Sequence, residues 1–238
     1  MYARRTVDGR VLDFGVSGKL LMNALVMYDR QTESLWSQLL GRAVEGPLAG
    51  TELEPFPAIQ TTWANWRALH PSTMALRTGG WRGDDPYTDY FDSPAAGVMG
   101  ETRRDERRPA KALVTGALIG GQAVAYPWSD LARARVANDE VAGVGVLVVH
   151  DPRVRTTTLF ERDAGGRRLT FSAAPGGAEP LVLEDAETGT RWLAWTGAAI
   201  DGPLAGRTLA RIPATTAFWF AWKDYYPNTR LFTAGAGG

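Results

Sequence analysis

A few side chains in this sequence could do acid–base or nucleophilic chemistry. Asp29 and Glu33 lie four residues apart, and either carboxylate could act as a general base if burial raised its pKa. An aspartate between a strand and a turn more commonly bonds the backbone, so a structural role for Asp29 is the simpler interpretation. Ser17 lies outside the Gly-x-Ser-x-Gly pattern that exposes a nucleophilic serine on a strand-to-helix turn. The sequence therefore offers candidate bases without a recognisable nucleophile.

The two histidines give little support for a catalytic triad or a metal site. His70 stands at the predicted end of a helix and His150 at the predicted end of an apolar strand. Neither belongs to a His-rich or Glu-x-x-His pattern of the kind that binds zinc. The chain has no cysteine, which excludes disulfides, thiolate catalysis and cysteine-ligated metals. We therefore assign no catalytic or metal-ligating residues and leave the cofactor unknown.

The stretch from residue 77 to 111 combines acidic and aromatic side chains. Carboxylate oxygens beside aromatic rings suit calcium or a sugar. The spacing of the aspartates does not match a calcium loop, which alternates acids around a central glycine. The simpler interpretation is an ordered connector whose aromatic rings pack against its neighbours. The residues in question are Trp81, Asp84, Asp85, Tyr87, Asp89, Tyr90, Phe91 and Asp92.

Two stretches of the chain read as copies of one unit. Residues 43–76 and 199–232, aligned at a constant offset of 156 (199 − 43), are identical at 13 of 34 positions. Unrelated segments of ordinary composition would share about two. With a gap of one residue the match extends over 7–76 and 164–232. The identical positions include the Gly-Pro-Leu-Ala-Gly segments at 46–50 and 202–206, Asp29 with Asp185, Trp36 with Trp192, and Trp63 and Trp66 with Trp219 and Trp222.

Turn chemistry and apolar patterning indicate which elements position these residues. Glycine-rich turns at 120–121, 164–166 and 188–189 predict hairpins between strands. Short helices are expected over 61–69 and 216–225, where tryptophans three residues apart share a face and a proline follows. These tryptophans are predicted to anchor the core.

The second copy has an additional front half that the first copy lacks. About 50 residues before it predict a hairpin, a helix capped near Ser129 and an apolar strand ending at His150. We expect the first unit either to borrow a partner or to have lost its beginning by truncation. The predicted fold is mainly β (α+β), with a first unit at residues 1–76, a connector at 77–111 and a complete second unit at 112–238.

The first copy is the more polar of the two. A residue kept in both copies is needed by the fold, whereas a polar residue found in one copy could belong to a ligand surface. The alternative is a polar network that fixes a turn or pairs with an absent N-terminal half. The candidate ligand-binding residues are Ser17, Lys19, Asn23, Tyr28, Asp29, Arg30, Gln31, Glu33 and Gln38.

The segment from Phe14 to Leu20, continued by residues 25–38, resembles the bacterial family called domain of unknown function 3179. Similar signals occur over 63–73, 85–91 and 126–139. The resemblance implies no established activity, and it implies export in full-length relatives. The family pattern also carries a Cys-Pro-Leu-Cys-Gly motif just before the point where this chain begins, and this sequence has no such motif.

Charge and hydropathy narrow the classes of partner. Lys plus Arg and Asp plus Glu number 26 each, so no strong net field favours nucleic acid. The longest apolar stretch, residues 141–149, is far shorter than the roughly 20 residues of a membrane helix. We therefore predict a noncatalytic binding or scaffold module with a small-molecule or protein partner, open to self-association through an exposed strand edge. The alternative is a truncated enzyme or metal/redox protein that retains Lys19, Tyr28 and Asp29 as accessory groups.

Overall fold

The protein is mainly antiparallel β structure with short helices, which confirms the predicted fold class. No helix that the structure describes is long and apolar enough to cross a membrane. The computed structural model describes residues 1–6, 8–76, 87–176 and 180–234. The connector residues Trp81, Asp84 and Asp85, on which the calcium and sugar alternatives partly rested, lie outside these ranges.

The first unit is a four-stranded meander with a separate strand pair beside it. Its strands are β1 (Tyr2–Thr6), β2 (Phe14–Leu21), β3 (Ala24–Asp29), β4 (Leu35–Ser37), β5 (Arg42–Glu45) and β6 (Leu53–Pro55). The meander runs β2-β3-β4-β5, and β1 pairs with β6. Trp36 is fully buried and packs with Leu12, Leu48 and Leu53 in the core of this unit.

The second unit contains an equivalent meander and a larger front half. Its strands are β7 (Leu113–Ile119), β8 (Gln122–Pro127), β9 (Val136–Val141), β10 (Val144–Asp151), β11 (Thr156–Glu161), β12 (Asp163–Ala164), β13 (Arg167–Arg168), β14 (Phe171–Ala173), β15 (Val182–Asp185), β16 (Arg191–Leu193), β17 (Ala199–Asp201), β18 (Thr215–Phe218) and β19 (Arg230–Leu231). The meander β14-β15-β16-β17 has the same strand order as β2-β3-β4-β5. Strands β9, β10 and β11 of the front half form the sheet β11-β10-β9, and β7 and β8 form the sheet β18-β7-β8-β19 with two strands from the end of the second copy, so β18 is a terminal strand. The hairpins at β7–β8 and β12–β13 turn at the predicted glycines, because Gly120, Gly121, Gly165 and Gly166 all adopt positive φ.

Four short helices complete the described residues: α1 (Trp63–Leu69), α2 (Thr88–Asp92), α3 (Trp128–Ala134) and α4 (Trp219–Tyr225). The helix predicted to be capped near Ser129 is α3, which begins at Trp128. Its N-cap is Pro127, which offers no side-chain acceptor.

The prediction that both tryptophan pairs anchor the core is correct only for α4. Trp219 is fully buried and Trp222 is 3% exposed, whereas Trp63 is 51% exposed. Helix α4 packs against β7 of the front half and against β18. Within the described residues α1 has no such sheet of its own, and Leu69 instead packs against the core of the second unit. The same local sequence pattern therefore gives a buried helix in one unit and a partly exposed helix in the other.

The described part of the connector packs around α4. Lys223 is 1% exposed, and its Nζ lies 2.9 Å from the carboxylate of Glu101 and 3.3 Å from that of Asp224. The Asp224 carboxylate also accepts hydrogen bonds from the backbone N–H groups of Thr102 and Arg103, at 2.7 and 3.0 Å. This buried charge cluster fixes the connector to the helix.

Candidate functional site

Asp29, at the end of β3, is enclosed in a turn network. Its carboxylate accepts hydrogen bonds from the backbone N–H of Thr32 at 2.6 Å and from Trp36 Nε1 at 2.8 Å. Burial is the largest single influence and raises the pKa of Asp29, but the hydrogen bonds together outweigh it and hold the pKa below its ordinary value. A general base at neutral pH needs the opposite shift. This geometry favours the structural interpretation of Asp29 over the catalytic one.

The second unit repeats this network in detail. Asp185 accepts from the backbone N–H of Thr188 at 2.6 Å and from Trp192 Nε1 at 2.9 Å. The glycine that begins each Gly-Pro-Leu-Ala-Gly turn, Gly46 or Gly202, has the same φ of 94°. An arrangement present in both meanders, with the same bonds, serves the fold of the meander.

Ser17 and Gln31 are also bonded within the first unit. Ser17 Oγ donates a hydrogen bond to the carbonyl of Val26 on the neighbouring strand, at 2.6 Å. The side-chain amide of Gln31 accepts from the backbone N–H of Asp13 at 3.0 Å and donates to its carboxylate at 3.2 Å. Both side chains hold adjacent segments of the meander together, as the polar-network alternative predicts.

Asn23, in the tight turn between β2 and β3, joins the meander to the connector. Its Nδ2 donates to the carbonyl of Gly100 at 2.7 Å, and its Oδ1 accepts from the backbone N–H of Met99 at 2.8 Å. Asn23 adopts a φ of 64°, a left-handed conformation that asparagine tolerates better than most residues. The side chain of Asn23 is therefore hydrogen-bonded to the connector within the chain.

The remaining polar candidates lie at the surface of the meander. The Arg30 guanidinium lies 5.6 Å from the centre of the Tyr28 ring. The Tyr28 ring in turn covers Gly15 so closely that a Cβ at position 15 would be 2.5 Å from the ring. Lys19, Arg30 and Glu33 are exposed. These residues and the bonded ones above do not share one enclosure, so the structure does not gather the predicted set into a single pocket.

Gln38, a member of the predicted set, lines a cleft. The cleft has a volume of about 430 Å³ and lies between the first unit and the terminal strand β18. Apart from Gln38, its walls include Tyr2, Arg4, Phe14, Ala24, Met27, Leu39, Leu53, Thr215 and Thr216. The side-chain amide of Gln38 makes no hydrogen bond to another described side chain or backbone group.

Sequence reasoning missed most of the residues that line this cleft. Phe14, Ala24 and Met27 are apolar and were outside a search for polar side chains. Thr215 and Thr216 come from β18, some 200 residues away along the chain. Strand β18 lies within the second copy, and no local pattern in the sequence links it to the first unit.

His150 and Asp151, at the end of β10, form a second polar group inside the protein. His150 is 1% exposed, with Nδ1 2.9 Å from Thr157 Oγ1 and its ring centre 5.1 Å from that of Trp128. Burial lowers the pKa of His150, so the imidazole is neutral at pH 7. Asp151 pairs with Arg153 at 2.7 Å. Among the residues that the structure describes, no three His, Asp or Glu side chains are grouped as metal ligands.

The fold and these contacts define a mainly β protein that contains two meanders, each with the same Asp–Thr–Trp hydrogen-bond network. The chain belongs to the DUF3179 family, described as a protein of unknown function, whose sequence pattern matches residues 1–229. This match confirms the family resemblance. No curated protein and no solved structure matches the chain.

Proposed function

We propose that this protein is a noncatalytic binding module that takes its ligand in the cleft on the first unit. The observation that carries the proposal is the cleft itself, about 430 Å³ in volume, with apolar residues such as Phe14 and Met27 in its walls and the unbonded side-chain amide of Gln38 at its edge. Small-molecule sites in proteins are typically concave and mostly apolar, with a few polar groups that fix the orientation of the ligand.

The opposite wall adds further hydrogen-bonding capacity. Thr215 and Thr216 belong to β18, which pairs with β7 on one side and ends its sheet on the other. Hydroxyl and backbone groups of this strand can therefore contribute to binding. A neighbouring cavity of about 310 Å³ shares Tyr2, Leu39 and Leu53 with the cleft. The two spaces together suit an elongated ligand such as a short peptide segment or a chain-like metabolite.

The buried or bonded members of the sequence-predicted set act in this proposal as supports. Asp29, Ser17 and Gln31 hold the meander that forms one wall, and Asn23 ties it to the connector. Gln38 is the residue expected to contact the ligand directly. Lys19 is exposed and does not line the cleft.

A thermal-shift screen against short peptides, amino acids, sugars and divalent metals tests the proposal. A saturable hit is then titrated against Gln38→Ala, which removes the amide, and Ala24→Phe, which fills the cleft. Lys19→Ala serves as the matched surface control. We expect both cleft variants to weaken binding at least tenfold and the control to bind as the parent does.

Circular dichroism and thermal melts establish that each variant is folded. A hit that survives both cleft substitutions but is lost in Lys19→Ala would place the ligand on the exposed face of β2. The absence of any saturable hit would count against a binding function for the cleft.

A further inference from the structure

A second cavity, lined by residues of both units, is rich in hydrogen-bond donors. It has a volume of about 360 Å³ and lies between residues 58–60, β11 and residues 211–216. Five of its lining residues are threonines, at positions 115, 157, 158, 215 and 216, and Gln60 and Arg211 also face it. No carboxylate lines the described walls of this cavity.

Arg211 supplies a cationic side chain to the cavity, and its position is fixed. Its guanidinium donates a hydrogen bond to the carbonyl of Trp195 and lies 5.3 Å from the centre of the Phe160 ring. Within the described residues it has no carboxylate at ion-pair distance. Burial lowers the pKa of Arg211, which reflects the cost of holding a cation away from water without a counter-ion.

The threonine hydroxyls can complete a binding site for negative charge. Thr115 Oγ1 accepts a hydrogen bond from Trp128 Nε1 at 2.9 Å, so its own O–H is left to donate elsewhere. Thr157 Oγ1 is 2.9 Å from Nδ1 of the neutral His150. When that nitrogen carries the imidazole proton and donates it to Thr157, the Thr157 hydroxyl is also free to donate.

We propose that this cavity binds a small molecule through an oxyanion group, a carboxylate, phosphate or sulfate, held by Arg211 and by the hydroxyls of Thr115 and Thr157. An anion would supply the counter-charge that Arg211 lacks. The planar guanidinium matches two oxygens of such a group at once. The volume leaves room for the body of a small metabolite as well as for its charged group.

This site is independent of the proposed ligand cleft on the first unit. Gln38, Ala24 and Met27 line the cleft but not this cavity, and Arg211 lines this cavity but not the cleft. The two spaces share Met1, Thr215 and Thr216, and the variants chosen for the tests lie at other residues. Either proposal can fail without the other.

The test is calorimetric titration of the full chain with phosphate, sulfate and succinate at constant ionic strength maintained with sodium chloride. The uncharged dimethyl ester of succinate is the ligand control. We expect saturable binding of at least one oxyanion, a loss of at least tenfold in Arg211→Gln, and unchanged binding in Arg207→Gln, a matched substitution of an exposed arginine. The preference between phosphate and succinate identifies the oxyanion.

A second pair of variants keeps the proposal testable if Arg211→Gln does not fold. Thr115→Val removes the hydroxyl with little change of volume and is expected to weaken anion binding several-fold. Thr115→Ser keeps the hydroxyl and should bind the anion as the parent does. Three results would overturn the proposal. The first is an equal loss of anion binding in the Arg207→Gln and Arg211→Gln variants, and the second is binding of the dimethyl ester as tight as that of succinate. The third is no saturable binding of any of the three anions at millimolar concentration.

Discussion

Replacing Asp29 with alanine should destabilise the first meander strongly. The substitution removes a fully buried carboxylate and leaves two donors without their acceptor, the Nε1–H of Trp36 and the backbone N–H of Thr32. Each buried donor left unpaired costs about 1–3 kcal/mol. The expected loss in the free energy of unfolding is therefore about 2–6 kcal/mol.

Asp185 provides the internal control for this prediction. Its hydrogen bonds to Thr188 and Trp192 have nearly the same lengths, and its side chain is equally buried. Asp185→Ala should thus cost about as much as Asp29→Ala. Asp29→Asn keeps an oxygen acceptor but loses the charge, and a cost nearer 1 kcal/mol is expected because charge-assisted hydrogen bonds are the stronger kind.

Urea unfolding, followed by tryptophan fluorescence and by far-UV circular dichroism, measures these losses. Coincidence of the two transitions establishes that a single free energy of unfolding describes the chain. If Asp29→Ala changed stability by less than about 0.5 kcal/mol, within the range of ordinary surface substitutions, while Asp185→Ala cost several times as much, the structural account of Asp29 would be refuted. Asp29 would then be a candidate for ligand binding or catalysis.

Two further predictions concern the buried charges. Lys223→Met leaves the buried Asp224 without its cationic partner, so urea unfolding should show a loss of about 3–5 kcal/mol; a similar loss in the exposed control Lys19→Met would contradict this reasoning. The pKa of His150 is lowered, chiefly by burial and further by Arg135, although Asp151 opposes the shift. The unfolded chain therefore takes up a proton near the ordinary value of 6.5, whereas the folded chain does not. Stability should fall as the pH falls from about 6.5, and thermal melts between pH 7 and 5 should show a smaller decrease in Tm for His150→Gln; equal slopes would be the contrary result.

Local features of the fold were predictable from the sequence. The glycine pairs fix the hairpin turns because only glycine adopts the required positive φ at little cost. The matched Asp–x–x–Thr pattern with a tryptophan seven residues after the aspartate predicts one repeated turn, and all the bonding partners lie within eight residues of chain. The family resemblance rested on the same local motifs and was confirmed.

Candidate sites were less predictable because their walls come from distant segments. The polarity of the first copy pointed to nine residues. In the structure, several of them have hydrogen-bond partners within the chain, and Gln38 lines a cleft. Comparing the copies could also have drawn attention to Arg211, which stands opposite Pro55 in the alignment. That comparison could not show that Arg211 lacks a counter-ion, since the lack depends on which chain segments surround it.

What the sequence alone indicated was therefore the glycine turns, the two matched segments and the approximate positions of helices α1, α3 and α4, all of which depend on interactions between near neighbours. Only the tertiary structure decided that Trp219 is enclosed while Trp63 is half exposed, because burial depends on whether a sheet from elsewhere in the chain covers the helix. It also decided where the cavities lie. A cavity is the space left between packed elements, and its shape and charge are set by long-range packing that no local pattern encodes.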